Sequence, residues 1–178
     1  MARERLTGVL LVGGASRRFG SPKALARFEG ETLAERAWRV LGDVCDERLA
    51  VGKTVDELPL PFPVLDDASD VRAPLVGVVA GLREAKNELC VILPVDCPLI
   101  SAGSLLQLAD TGAAAAVPPS GPLPGAYRQT LLPLLERKLS GGDYSLRDVE
   151  ATVVGLDPRE LENVNTRLEL AALQAARL

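Results

Sequence analysis

Histidine is absent from the 178-residue chain, and that one absence removes several chemistries together. Ser-His-Asp and Cys-His nucleophilic catalysis are excluded, as is every metal site ligated by imidazole. A metal would have to be held by oxygen, which points to magnesium or a similarly hard cation. Cysteine is scarce: Cys45, Cys90 and Cys97 form no C-x-x-C pair and are odd in number. That pattern fits free thiols in a reducing cytoplasm rather than a disulfide frame or a zinc site. Cys97 is read as a small buried filler. No apolar run approaches ~18 residues, so no membrane-spanning helix is expected. The N-terminus reaches Thr7 without the hydrophobic stretch of an ordinary signal peptide, and the expected location is cytoplasmic. Basic excess is missing too: the formal net charge is −4, which argues against nucleic acid as the main partner. Cations that matter must therefore be local.

What is present suits an ordinary globular chain. At 178 residues and 47% hydrophobic, the length predicts a single domain over residues 1–178 with a full core. Apolar β-rich runs alternate with helical patterns, the sequence form of a mainly parallel α/β sheet. Strands are expected at Gly8–Val12, Arg48–Val51, Val64-Leu65, Leu89–Val95, Ala113–Val117, Gly125–Arg128 and Thr152–Leu156. Thr32-Leu-Ala-Glu35 and Thr166-x-x-Glu169 are capping boxes. The first opens a helix whose apolar face is Leu33, Ala37, Val40, Leu41 and Val44; the second opens one with Leu168, Ala171, Ala172 and Ala175 along one face. Further helices are predicted from Pro74 to about Ala85, over Ser101–Ala109 and over Leu131–Leu139, and Pro118–Pro124 must be loop.

The stretch Leu10–Lys23 carries the chemistry. An apolar strand runs into Gly13-Gly14, then Arg17 and Arg18, then Gly20 and Lys23. Gly13 and Gly14 can take positive φ and carry no Cβ, so another group can approach their backbone closely. Three cations then stand within seven residues. Backbone N–H groups supply directional donors and the cations offset charge, a combination suited to a polyphosphate. Two better-known phosphate loops do not fit. A Walker A loop needs Gly-Lys adjacent, but Ser21-Pro22 separates Gly20 from Lys23; the dinucleotide fingerprint needs G-x-G, but Gly13 and Gly14 are neighbours.

Ligands of open α/β sheets bind outside the carboxyl ends of the strands. A second strand, Leu89–Val95, ends at Asp96. A carboxylate there can hold Mg²⁺ beside a nucleotide's phosphates, since this ion often takes one or two carboxylates and fills its other positions with phosphate oxygens and water. The acidic set Asp66-Asp67 and Asp70 follows another strand, and one member could accept hydrogen bonds from a base edge or a ribose. Arg72–Gly77 reads as a helix start whose free N–H groups face the same rim.

Leu11–Lys23 resembles the nucleotidyltransferase signature L-x-G-G-x-S-x-R-[MF]-G-x-x-K, and most closely that of the molybdenum cofactor guanylyltransferases. Further segments recur in the family's order: Asp67 before Ala73–Gly77, Pro94-Val95-Asp96-Cys97-Pro98, Pro122-Leu123 with Tyr127-Arg128, and Asn163-Val164-Asn165-Thr166. The resemblance implies a three-layer Rossmann-like nucleotidyltransferase fold with a mainly parallel central sheet. It implies GTP contacts from Leu11, Val12, Gly13 and Gly14, a phosphate role for Lys23 with Arg17 beside it, a nucleotide contact from Asp67, and Mg²⁺ on Asp96. Asn163 and Asn165 would lie on the pterin side of the cleft. The implied substrates are GTP and molybdopterin, or the molybdenum cofactor itself, with GMP passing to the terminal phosphate. Transient contact with molybdenum-insertion proteins or acceptor enzymes would follow. Gly-Gly, where related cytidylyltransferases tend to have Ala-Ala, favours a purine. A nucleotidyltransferase acting with CTP or on a sugar phosphate stays open as an alternative, as does a nucleotide-binding regulator without turnover. Two positions depart from the pattern: Val51-Gly52-Lys53, where members often carry a polar side chain, and Leu123-Pro124-Gly125, where some have His-Pro-Thr.

Overall fold

A computed structural model describes residues 3–14 and 18–177. Among them the chain runs β1 (Leu6–Leu11), β2 (Arg27–Phe28), β3 (Glu31–Thr32), α1 (Leu33–Gly42), β4 (Glu47–Gly52), β5 (Val64–Asp66), α2 (Pro74–Glu84), β6 (Leu89–Pro94), α3 (Ala102–Ala109), β7 (Ala115–Val117), β8 (Gly125–Arg128), α4 (Leu132–Ser140), β9 (Thr152–Val153) and α5 (Arg167–Ala175). Seven strands form one sheet in the order β5-β4-β1-β6-β8-β7-β9. The β5-β4-β1-β6 half is parallel throughout, and only β8 runs against its neighbours β6 and β7. This is the mainly parallel α/β architecture that the alternating pattern predicts.

Strand alternation sorts the core into two layers, because successive side chains leave a strand on opposite faces. Leu6 and Leu10 of β1 and Leu89, Val91 and Leu93 of β6 join the layer under α1, α3 and α5. Val9 and Leu11 of β1 and Cys90 and Ile92 of β6 join the layer under α2 and α4. Leu10, Ile92 and Leu93 are fully buried, each contributing about 1.5–3 kcal/mol over exposure.

Two features of this packing position the site. After β5 the chain crosses to the other side of β1 to form β6, so β1 and β6 flank the point where strand order reverses and a crevice opens. Leu11 pairs with Pro94 in register, which brings Gly13 and Asp96 to the same height. Helix α2 then comes unusually close to β1. A Cβ on Gly81 would lie 2.5 Å from Val9 Cγ1, and one on Gly77 would lie 2.8 Å from Leu11 Cδ2. Glycines four apart share one helix face, and this glycine face lets the first turn of α2 reach the crevice.

Several expectations need correction. The first strand starts two residues early, since Leu6 pairs with Leu89. The predicted strand Thr152–Leu156 shrinks to Thr152–Val153, because β7 is three residues long and offers no partner beyond Val117. Both capping boxes form, but the packed face of α5 is not the predicted one. Leu168 is 80% exposed, whereas Leu170 is buried and Leu173 half-buried; the leucine pair buries more apolar area than an alanine stripe could. The hairpin of β2 and β3 is not foreseen from the sequence. Its two-residue turn, Glu29-Gly30, has positive φ at both positions (49° and 89°), the backbone that suits the twist of a tight hairpin.

Candidate active site

Four strand ends border a cavity of about 300 Å³. It runs from Pro94 and Asp96 at the end of β6, across Leu11, Val12 and Gly13 at the end of β1, to Gly52 and Lys53 at the end of β4 and Asp67 just after β5. Three strand spacings make that span about 14 Å. The first turn of α2, with Ala73, Pro74 and Gly77, covers one wall, and Leu123 contributes from the 118–124 loop.

The floor is made of bare backbone. A Cβ on Gly13 would meet the Gly52 Cα at 3.4 Å, and one on Gly52 would meet Val12 Cγ2 at 2.9 Å. Gly52 is the glycine that lets the ends of β1 and β4 come together, since the Gly13 distance is ordinary contact, and the Val12 N–H donates to the Val51 carbonyl at 3.0 Å. Neither Gly13 nor Gly14 is among the described residues with positive φ. A Cβ on Gly14 would meet nothing within 4 Å, and both glycines line the cavity.

At one end Lys23 and Asp96 meet. Lys23, from a single 3-10 turn (Lys23–Leu25), places Nζ 3.6 Å from Asp96 Oδ2, with side chains 15% and 26% exposed. The same ammonium donates to Asn165 Oδ1 at 3.2 Å. The Asn163–Thr166 segment is stitched beside Asp96, whose carbonyl accepts from the Val164 N–H at 2.8 Å. Cys97 Sγ lies 3.0 Å from Asn163 Oδ1, so the buried thiol does more than fill space. Burial, then the neighbouring Asp96 charge, pushes that thiol well above its ordinary pKa, which keeps it a protonated donor. Arg167 completes the wrap, donating to the Phe19 carbonyl (3.1 Å) and the Ser21 hydroxyl (2.9 Å) of the glycine loop. Asn163 and Asn165 do not line the cavity; they flank it at its Lys23–Asp96 end.

The other end is closed by Lys53 and Asp67, both 8% exposed. Lys53 Nζ donates to both Asp67 oxygens (2.7 and 2.8 Å) and to the carbonyls of Ser69 (2.5 Å) and Val71 (2.8 Å). Neighbouring Asp66 turns away: its carboxylate accepts from the Thr54 hydroxyl, the Thr54 N–H and the Ala68 N–H. These bonds hold its pKa down at about 2.

Leu11, Val12, Gly13, Gly14, Lys23, Asp67 and Asp96 thus converge on one cavity. Arg17 lies outside the described residues, while Arg18, at the arginine of the signature, stands exposed on the next turn. Lys53 is the residue that sequence reasoning missed. Its only signal was the departure from a polar pattern at Val51-Gly52-Lys53. Among the described residues no three His, Cys, Asp or Glu gather as a metal cage, and the other acidic residue lining the cavity, Asp67, is taken by Lys53. The Asp96 carboxylate fits a hard cation that shares its coordination with phosphate and water. No helix of the described residues is long and apolar enough to cross a membrane.

The family model for the MobA-like NTP transferase domain matches residues 8–156. A protein named probable molybdenum cofactor guanylyltransferase from Bacillus subtilis strain 168 is 32% identical over 93% of each chain. The molybdenum cofactor guanylyltransferase of Pseudomonas putida is 31% identical over 89% of this chain and 92% of its own. In fold, the crystal structure of molybdopterin-guanine dinucleotide biosynthesis protein A from Archaeoglobus fulgidus superposes with a TM-score of 0.80, covering 96% of this chain and 98% of that one at 20% identity.

Proposed function

The chain belongs to the MobA-like NTP transferase domain family, and from that premise we propose that it acts as a single 1–178 domain transferring GMP from GTP to the terminal phosphate of molybdopterin, with or without bound molybdenum. The products are the guanine dinucleotide cofactor and pyrophosphate. The observation that carries this reading is one cavity with two unlike ends: an ammonium and a carboxylate 3.6 Å apart at one, a closed neutral pair at the other.

A phosphate monoester nucleophile needs no base, because its second pKa near ~6 leaves it largely ionised at pH 7. That suits a chain without histidine. What remains for the protein is to place two anions in line and offset the charge on the leaving group. Lys23 neutralises phosphate oxygens, with an arginine of the 17–18 pair beside it. Gly13 and Gly14 let the triphosphate lie against backbone. Asp96 would hold Mg²⁺, which when bound supplies charge neutralisation across the phosphates. The oxygens of Asn163 and Asn165 are already accepting from Cys97 and Lys23, so each amide keeps its N–H donors for an anionic acceptor. At the far end Asp67 Oδ2 is engaged only by Lys53 among the bonds described, which leaves acceptor capacity for a base edge. The proposed setting is cytoplasmic, with the product handed to acceptor enzymes.

The test is pyrophosphate release with Mg²⁺ and each of GTP and CTP, against molybdopterin and a panel of sugar phosphates. Release with GTP and molybdopterin alone supports the reading. Release with CTP or a sugar phosphate reassigns the substrates, and nucleotide binding without release under any pairing removes the enzyme reading.

A further inference from the structure

The geometry points to Lys53 as a positioning residue that sets recognition of the nucleoside, not of the phosphates. This rests on the reading that a nucleotide lies along the cavity with its phosphates toward Asp96.

A lysine on a nucleotide cavity invites a phosphate role, but the bonds of this one exclude it. An ammonium has three N–H donors. One is shared between the two oxygens of Asp67, one goes to the Ser69 carbonyl and one to the Val71 carbonyl. Nothing is left to reach a ligand. At 8% exposure, the ammonium would also have to break this buried set before moving, which is far costlier than shifting a solvated lysine.

What Lys53 does instead is tie one loop into a fixed wall. The 67–71 segment carries no regular secondary structure, and Ala68 adopts a left-handed φ of 55°, which alanine takes only when its surroundings impose it. Inner bonds help: the Asp67 N–H donates to the Gly52 carbonyl, the Ser69 N–H to Asp67 Oδ1 and the Val71 N–H to the Ser69 hydroxyl. Lys53 alone joins three points of the loop at once to the end of β4. It also cancels the Asp67 charge, and the other cation on this wall, Arg72, is bound by both Asp56 oxygens, so each of these charges has its opposite beside it. A neutral base is served by that arrangement; a phosphate is not.

The experiment separates the two ends by ligand. Calorimetry with Mg²⁺ measures binding of GTP and, separately, of inorganic tripolyphosphate to the full chain and to Lys53→Met, Lys53→Arg and Lys53→Met/Asp67→Asn. The double variant guards against misfolding, since it leaves no lone buried carboxylate. The expected result is a GTP Kd raised roughly tenfold to hundredfold in Lys53→Met and in the double variant, the size of losing hydrogen bonds to a charged group. Lys53→Arg recovers part of the loss, and the tripolyphosphate Kd stays at the wild-type value throughout. Unchanged GTP binding in the folded double variant overturns the proposal, as does an equal loss of tripolyphosphate binding. Failure of the functional reading looks different. There the wild type prefers another nucleoside triphosphate, and the same contrast, run with that nucleotide, still decides the role of Lys53. A wild-type protein that gains nothing from any base over tripolyphosphate overturns both.

Discussion

The two ends of the cavity each hold one lysine and one aspartate, yet they are built in opposite ways. Lys23 and Asp96 stand 3.6 Å apart and partly exposed, with Lys23 also donating to Asn165 and the Cys97 thiol 3.7 Å from Asp96 Oδ1. Lys53 and Asp67 are locked at 2.7–2.8 Å, buried, and joined to two backbone carbonyls. A wider, partly exposed pair exchanges partners at lower cost: on the proposed reading Lys23 turns to a phosphate and Asp96 to a cation, with water taking up the contacts they give up. A saturated buried pair cannot exchange, and breaking it strands a charge. The same two residue types thus give a looser end and a rigid end, and burial with ion-pair distance decides which is which.

The comparison is tested most severely by Asp96→Asn. The loose end should need its charge for turnover and not for folding, so kcat is expected to fall by roughly 10²–10⁴ while the thermal midpoint barely moves. Near-normal pyrophosphate release would take Asp96 out of the metal role. Lys23→Gln comes next, with kcat/KM lowered about 10²-fold and tripolyphosphate binding weakened as much as GTP binding. That is the reverse of the pattern expected at Lys53, so matching profiles for the two lysines would erase the distinction. On the stability side the order inverts. Lys53→Met is expected to cost about 3 kcal/mol because it leaves Asp67 buried without its partner, measurable by urea unfolding, and adding Asp67→Asn should return much of it.

Gly81→Ala probes the scaffold shared by both ends. The added methyl would stand 2.5 Å from Val9 Cγ1, so α2 must move off β1 at a cost of about 1–3 kcal/mol. A variant as stable as wild type would show that the close approach is not needed. The smallest effect is local. Because bonds from Thr54 and Ala68 depress the Asp66 pKa to about 2, its contribution is in place above the ordinary aspartate value and is lost as the pH falls through about 2. Amide shifts of Thr54 and Ala68 should report that titration, and a midpoint near 4 would contradict the bonding described.

How much of this was readable beforehand follows the same divide. The Lys23–Asp96 end is written locally: Gly13-Gly14 follows an apolar strand, Lys23 is ten residues on from Gly13, and Asp96 closes another strand beside Pro98. Such signals survive without knowing which strands pair. The rigid end is written across distance. Lys53 and Asp67 are 14 residues apart, and their partnership exists only because β4 and β5 pair in register, with Gly52 opposite Asp66. Gly77 and Gly81 were likewise mute, since their meaning depends on Leu11 and Val9 lying opposite. The wrong face of α5 has a related origin. The capping box reveals where the helix starts, but Leu170 is chosen over Leu168 by what it packs against.

The most direct test is a crystal structure of the full chain with GTP and Mg²⁺ bound. The account predicts phosphates over Gly13-Gly14 with Lys23 turned onto them, a cation on Asp96, and the guanine against Gly52 and Asp67 with the four bonds of Lys53 unbroken. A nucleotide lying the other way round, with its phosphates on Lys53, would contradict it.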